Sequence, residues 1–314
     1  MMTSSAKPLS GGRIGIFGKG GSGKSTVTVL LARALKRHGY EVCVLDADST
    51  NVGLHHALGL DKAPSSLVDY FGGMVFSGGV VSCPVDDPTR LKGAEISIEE
   101  LPLEFVGCSG EGIWLLSTGK MGDRGPGAGC DGPMAKIARD LRVSIDGRRC
   151  LTLVDFKAGF EDSARGVIVG LDWVVVVVDP TQAALEMATH MKNLVAQIQQ
   201  GALPATAHLE APELIETAQD LYRRARIRGV LVVTNRVDPQ SSQYLHDSLA
   251  ARGILPVAII RMDESISVSW LKGDRLEAEL AQIEVEDLVR AFEISDEKTA
   301  PSPLSVPVHP QVTY

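Results

Sequence analysis

The chain has 314 residues, 44% hydrophobic and 22% charged, the make-up of a folded soluble domain. A net charge of −8 argues against a general nucleic-acid surface, and no apolar run approaches the roughly 20 residues of a membrane-spanning helix. The opening "MMTSSAKPLS" lacks the apolar segment of a secretory signal, and five scattered cysteines, an odd number, fit a reducing cytoplasm better than a disulfide framework.

In chain order, residues 1–12 read as a flexible lead-in and "RIGIF" (13–17) as a short β-prone run. A glycine-rich loop follows, then a segment in which Val27, Leu30, Leu31, Ala34, Leu35 and His38 recur at helical spacing, with Gly39 placed as a C-terminal cap. Further strands are predicted at 41–48, 113–118, 150–156, 173–180, 229–235 and 254–260. The run "WVVVVVDP" is apolar at successive positions, as a strand buried on both faces requires. Helical patterns occupy 133–142, 162–170, 182–199, 212–226, 240–252 and 276–293. Strands alternating with helices predict an α/β fold, a doubly wound, mostly parallel sheet flanked by helices in a single domain spanning 13–293. Residues 72–112, rich in Gly, Pro and acids, break the alternation and read as an inserted loop or small subdomain. Residues 294–314 read as a disordered, Pro-rich tail without the basic amphipathic pattern of a membrane-targeting helix.

The loop "GKGGSGKS" (18–25) satisfies G-x-x-x-x-G-K-[ST] between a strand and a helix. Glycines remove Cβ atoms, so that backbone N–H groups can turn inward onto phosphate oxygens. The helix N-terminus adds partial positive charge. The nucleotide-binding candidates are Gly18, Lys19, Gly20, Gly21, Ser22, Gly23, Lys24, Ser25 and Thr26, with Lys24 on the β/γ-phosphates and the Ser25 hydroxyl on Mg²⁺.

With Lys19 at its front, "KGGxGKS" resembles the deviant Walker A loop of a P-loop ATPase family. That family includes the nitrogenase iron protein, the septum-site and chromosome-partitioning ATPases, the arsenite-pump ATPase and the nickel-insertion accessory ATPases. The resemblance implies an ATP- and Mg²⁺-dependent ATPase that closes as a homodimer on ATP, with Lys19 crossing to the partner's nucleotide as an arginine finger does. It assigns Asp48 of "LDADSTN" to switch I, positioning the attacking water, and places Asp46 nearer the Mg²⁺ shell, with Asn51 approaching the phosphates. Asp155 of "LVDFKAGFEDSARG" would be the Walker B carboxylate, and Gly159 would contact the γ-phosphate side. "VVTNRVD" resembles the family's "N-[KR]" strand end, where Asn235 would read the adenine edge. The next stretch departs from the pattern: Pro256 comes early and "RMD" replaces "P-x-D". "NRVD" also keeps the Asn and Asp of the guanine-reading "NKxD", so GTP is an alternative.

"STGKMGDRGPGAGCDGPMAKIARDL" and "DFKAGFEDSARG" resemble segments of the carbon monoxide dehydrogenase accessory ATPases, in which a Cys-x-Cys pair binds nickel or zinc at the dimer surface. Here Cys130 holds the first thiol position, Gly132 replaces the second, and Lys157 takes the place of an acid. The resemblance implies Ni, Zn or an Fe–S cluster at Cys130 on the dimer interface; the candidates to complete the ligand set are Asp131, water, a partner protein or Cys108, and a bridging [4Fe–4S] cluster would need Cys108 or Cys83. A client metalloenzyme is the implied partner, with no nucleic acid and no membrane. A reductase with a dimer-bridging Fe–S cluster is one alternative, against which Ala158 stands where a cluster cysteine would be; a partitioning platform is the other. Cys43 and Cys150 read as core, and His55 and His56 as surface or helix residues.

Overall fold

The computed structural model describes residues 7–121 and 130–299. The elements, in order, are β1 (Arg13–Gly18), α1 (Lys24–Arg37), β2 (Val42–Ala47), α2 (Leu54–Ala57), α3 (Leu67–Tyr70), β3 (Glu95–Ser97), β4 (Gly107–Cys108) and β5 (Trp114–Ser117). Then come α4 (Gly132–Asp140), β6 (Arg142–Ile145), β7 (Arg148–Arg149), β8 (Leu151–Phe156), α5 (Glu161–Ala164), β9 (Trp173–Val178) and α6 (Gln182–Gln199). The last third holds α7 (Pro212–Arg223), β10 (Gly229–Val237), α8 (Pro239–Ala250), β11 (Ala258–Arg261), α9 (Glu264–Lys272), α10 (Glu279–Glu284) and α11 (Glu286–Thr299).

Eight strands form one sheet in the order β11-β10-β9-β1-β8-β2-β5-β4, parallel except for the β4 edge. The order reverses direction at β1, so crossovers place helices on both faces. Val174, Val176 and Val178 of β9 join one apolar cluster, with α4 and α6. Val175 and Val177 join the other, with α1 and α11. The period-2 split is what an apolar run buried on both faces demands. Among the described residues, no helix is long and apolar enough to cross a membrane.

All seven sequence-predicted strands form, and the 182–199 helix keeps its bounds. Several boundaries differ. β11 begins at Ala258 because Pro256 has no N–H to give a ladder. The 162–170 pattern is short α5 plus a 3₁₀ turn at Val167–Gly170. The 276–293 pattern divides into α10 and α11, and α11 continues to Thr299, past the start expected for the tail. Of the lead-in, Leu9 is buried. Residues 72–112 are packed onto the body rather than set apart: Met74, Val81, Ile96, Ile98 and Leu101 join the main core. Their β4 extends the large sheet, and β3 pairs with β6 in a small three-stranded sheet.

Candidate functional site

Strand register builds the site. Ile16 of β1 lies level with Asp155 of β8, and Asp155 with Asp46 of β2, so two carboxylates come side by side where the chain turns off β1 into the loop. The loop's closing residues depend on one glycine. Gly23 has φ +92°, and a Cβ there would stand 2.1 Å from the Asn235 amide nitrogen. Only glycine adopts that backbone beside that neighbour without strain. Lys24 and Ser25 then open α1.

Ser25 donates its hydroxyl to Asp155 Oδ2 at 2.6 Å and accepts from the Asn51 amide at 2.8 Å. Thr28 donates to the other Asp155 oxygen at 3.3 Å. Asp155 is fully buried, and burial pushes its carboxyl up to about 7; the Asp46 and Asp48 charges push the same way, while the Ser25 bond and Lys24 oppose them. Asp46 is also raised by burial, to about 6, against the pull of the Lys120 ammonium 2.7 Å from its Oδ2. Three donors converge on Asp48 Oδ1: the Thr50 N–H at 2.9 Å, the Thr50 hydroxyl at 2.6 Å and the Asn51 N–H at 3.1 Å. They fix that carboxylate in the wall of the cavity beside the loop. Hard oxygen donors around a buried carboxylate whose charge lacks solvent are what a small divalent cation relieves, so Ser25 and Asp155 fit Mg²⁺.

A cavity of about 520 Å³ opens here, lined by Gly20, Gly21 and Gly23 to Thr26 of the loop and by Asp48, Asn51, Arg236 and Trp270 among others. The Trp270 indole donates to the Thr26 hydroxyl at 2.9 Å, and Arg236 to the Gly21 carbonyl at 2.8 Å. Sequence reading assigned roles to neither, nor to Lys120. Their signal was faint: an aromatic in the segment lacking the expected "P-x-D", and a lysine after a third strand.

Asn235 is 2% exposed and donates to the Ser22 carbonyl at 2.8 Å, bracing the loop, and it is not among the cavity's lining residues. Asp238 caps α8, its Oδ1 accepting the Gln240 and Ser241 N–H groups at 2.8 and 3.0 Å. Ser22 is buried. Lys19 sits 3.4 Å from Asp179 of its own chain. Gly159 gives its N–H to the Gly18 carbonyl at 3.2 Å and has φ +93°. Lys157 is paired with Asp131 at 2.9 Å and Glu161 at 3.2 Å.

Cys130 is exposed just ahead of α4, and the glycine-rich run before it, 122–129, lies outside the described residues. Cys108 faces a different edge, where its charged neighbours are Lys36 and Glu41. Among the described residues, no three His, Cys, Asp or Glu side chains converge as a metal cluster. Cys43 and Cys150 are core, as expected.

Comparison with known proteins agrees with this geometry. The chain is 29% identical over 273 residues to an uncharacterised ATP-binding protein of Methanocaldococcus jannaschii, covering 86% of this chain and 96% of that one. It is 30% identical over 183 residues to the carbon monoxide dehydrogenase accessory protein CooC of Rhodospirillum rubrum, covering 58% of this chain and 68% of the relative. The fold is that of MinD in the MinC:MinD cell division complex of Aquifex aeolicus, with a TM-score of 0.56 at 18% identity, over 90% of this chain and 95% of that one. Residues 16–276 match the CobQ/CobB/MinD/ParA nucleotide binding domain, and the chain is a P-loop nucleotide-binding protein of that family.

Proposed function

We propose that this chain hydrolyses ATP in the cytoplasm, closing as a homodimer on the nucleotide, and serves as an accessory factor in maturing a metal-containing redox enzyme. The observation that carries the nucleotide chemistry is the Ser25–Asp155–Asn51 network beneath the phosphate loop. Mg²⁺, when bound, would offset charge on the β- and γ-phosphates. Ser25 and Asp155 would hold it, the latter through water. Lys24 draws the phosphates to the start of α1, and Asp48 orients the attacking water. Lys19 reaches the partner's nucleotide, for which its pairing with Asp179 must open. The maturation role rests on the likeness to CooC and on the exposed thiol beside α4.

Lys19→Ala tests the dimer mechanism directly. ATP affinity should change little, because the side chain acts across the interface. Turnover should fall about 10³-fold, the scale of a lost finger residue, and ATP-dependent dimerisation, followed by light scattering, should disappear. Wild-type turnover in that variant would overturn the trans-lysine role.

A further inference from the structure

Gly132 occupies the first position of α4, two residues after Cys130, and offers no side chain. A Cβ built there would lie 2.7 Å from the Cys83 sulfur and 3.2 Å from the Cys130 sulfur. The volume that a residue at 132 would fill is therefore taken by Cys83, which arrives from the 72–112 segment. The two sulfurs can be no farther apart than the sum of those two distances.

Both thiols are held in place. Lys136, a buried lysine of α4, donates to the Ser82 hydroxyl at 3.0 Å and to Asp87 Oδ2 at 2.6 Å. The Asp87 N–H returns to the Cys83 carbonyl at 2.9 Å, closing a turn around the cysteine. The Gly132 N–H donates to the Cys130 sulfur at 3.3 Å, which fixes where that sulfur points. Asp131 is committed elsewhere: Lys157 lies 2.9 Å from one of its oxygens and Arg165 2.8 Å from the other. It ties the thiol corner to the segment after Asp155 rather than serving as a ligand. Cys83 is half-buried and Cys130 exposed, so the pair has one open side.

We propose that Cys83 and Cys130 of one chain are the two thiolate ligands of a soft-metal site for an ion of the zinc and nickel class, with Cys83 standing in for the absent thiol at Gly132. Binding releases the two thiol protons and forms two metal–sulfur bonds. Two thiolates are half of a tetrahedral set, and the matching pair of a second copy completes it. The identity of the ion as cargo rests on the maturation reading above; the pairing of the thiols does not.

The test is anaerobic titration of the reduced, full-length chain with Co²⁺, whose thiolate charge-transfer absorption reports sulfur ligation. ATP binding is measured on the same samples. Wild type and Cys108→Ser should show the band, and half an equivalent of Zn²⁺ per chain should abolish it. Cys83→Ser and Cys130→Ser should each lose it while still binding ATP, so that a failed metal site is distinguished from a failed nucleotide site. Gly132→Ala keeps both thiols but displaces Cys83, and should weaken Co²⁺ binding about 10-fold or more. An undiminished band in Cys83→Ser would overturn the proposal. So would a wild-type protein with no band whose two thiols instead join as a disulfide in air.

Discussion

The phosphate loop and the thiol corner sit near one end of the same sheet but are assembled in opposite ways. The loop is contiguous: eight residues, 18–25, carry most of its phosphate-facing chemistry, and the long-range contacts brace it. The corner is discontinuous, made of Cys83 from one segment and Cys130 from another, and its geometry comes from the Asp87–Lys136 pair. Contiguous chemistry is preorganised by backbone conformation; discontinuous chemistry is preorganised by tertiary contacts. A backbone substitution should damage the first most, and a buried charge deletion the second.

Between these two regions, the largest expected effect is at Gly23. Alanine there must take a φ of +92° and meet the Asn235 amide at 2.1 Å. The backbone strain alone is about 1–2 kcal/mol, and displacement of the loop amides adds to it. ATP affinity should fall about 100-fold or more, a loss of about 2.7 kcal/mol, by titration calorimetry. Adding Asn235→Ala removes the clash but not the strain, so the double variant should recover part of the affinity. Full recovery would show that sterics, not backbone conformation, fix the loop.

The same contrast decides what could be read from the chain alone. The loop, Asp48 and Asp155 were legible because each stands at the end of an apolar strand, where period and motif agree. The sheet was legible for the same reason: β9, with its unbroken valines, has no other home than the centre. Lys120 and Trp270 were not, because their partners, Asp46 and Thr26, are 74 and 244 residues away. Asn235 was legible from its motif, but its amide bond to the Ser22 carbonyl was not, because that partner lies 213 residues away. Cys83 was one of several thiols that could answer Cys130, and only the packing of residues 72–112 distinguishes it from Cys108. The small sheet of β3, β6 and β7 left no clear periodic signal, its strands being two to four residues long.

A mid-sized effect is expected on the corner side. Asp87→Ala leaves the Lys136 ammonium buried without its carboxylate; because Asp87 itself is 35% exposed and partly screened by solvent, the cost is about 1–2 kcal/mol of unfolding free energy, read by urea denaturation. The lysine and the hydroxyls of Ser82 and Thr89 hold the Asp87 carboxyl well below the usual range, although burial opposes them. A lowered acid contributes stability that is present above its unfolded pKa and lost as pH falls through the folded one. The gap between wild type and Asp87→Ala should therefore narrow only in strong acid. Cys83 should react faster with a maleimide in the variant while ATP affinity holds within about 2-fold, because the loop does not depend on this pair. A matching loss of ATP affinity would show that the two regions are not independently organised.

The smallest effect probes the join between them. Asp162, in the turn after Lys157, is buried with Oδ2 unpartnered, and its nearest cation is the Arg165 guanidinium at 3.6 Å. Burial, helped by the Asp131 and Glu161 charges, raises its carboxyl to about 6 against Arg165 and Lys157. For a raised acid the sign is opposite to that of Asp87: the folded state binds the proton more tightly than the unfolded chain. Stability is thus lost as pH rises from about 4 to about 6, and the cost persists above that window. Asp162→Asn removes the charge and keeps the shape, so it should gain on the order of 1 kcal/mol at pH 7.5, or about 2 °C in Tm. That gain should shrink to nothing by about pH 4. A gain that does not vary with pH would mean that packing, not the buried charge, sets the cost of this turn. In that case the Lys157–Asp131–Arg165 cluster joins the two regions by shape alone.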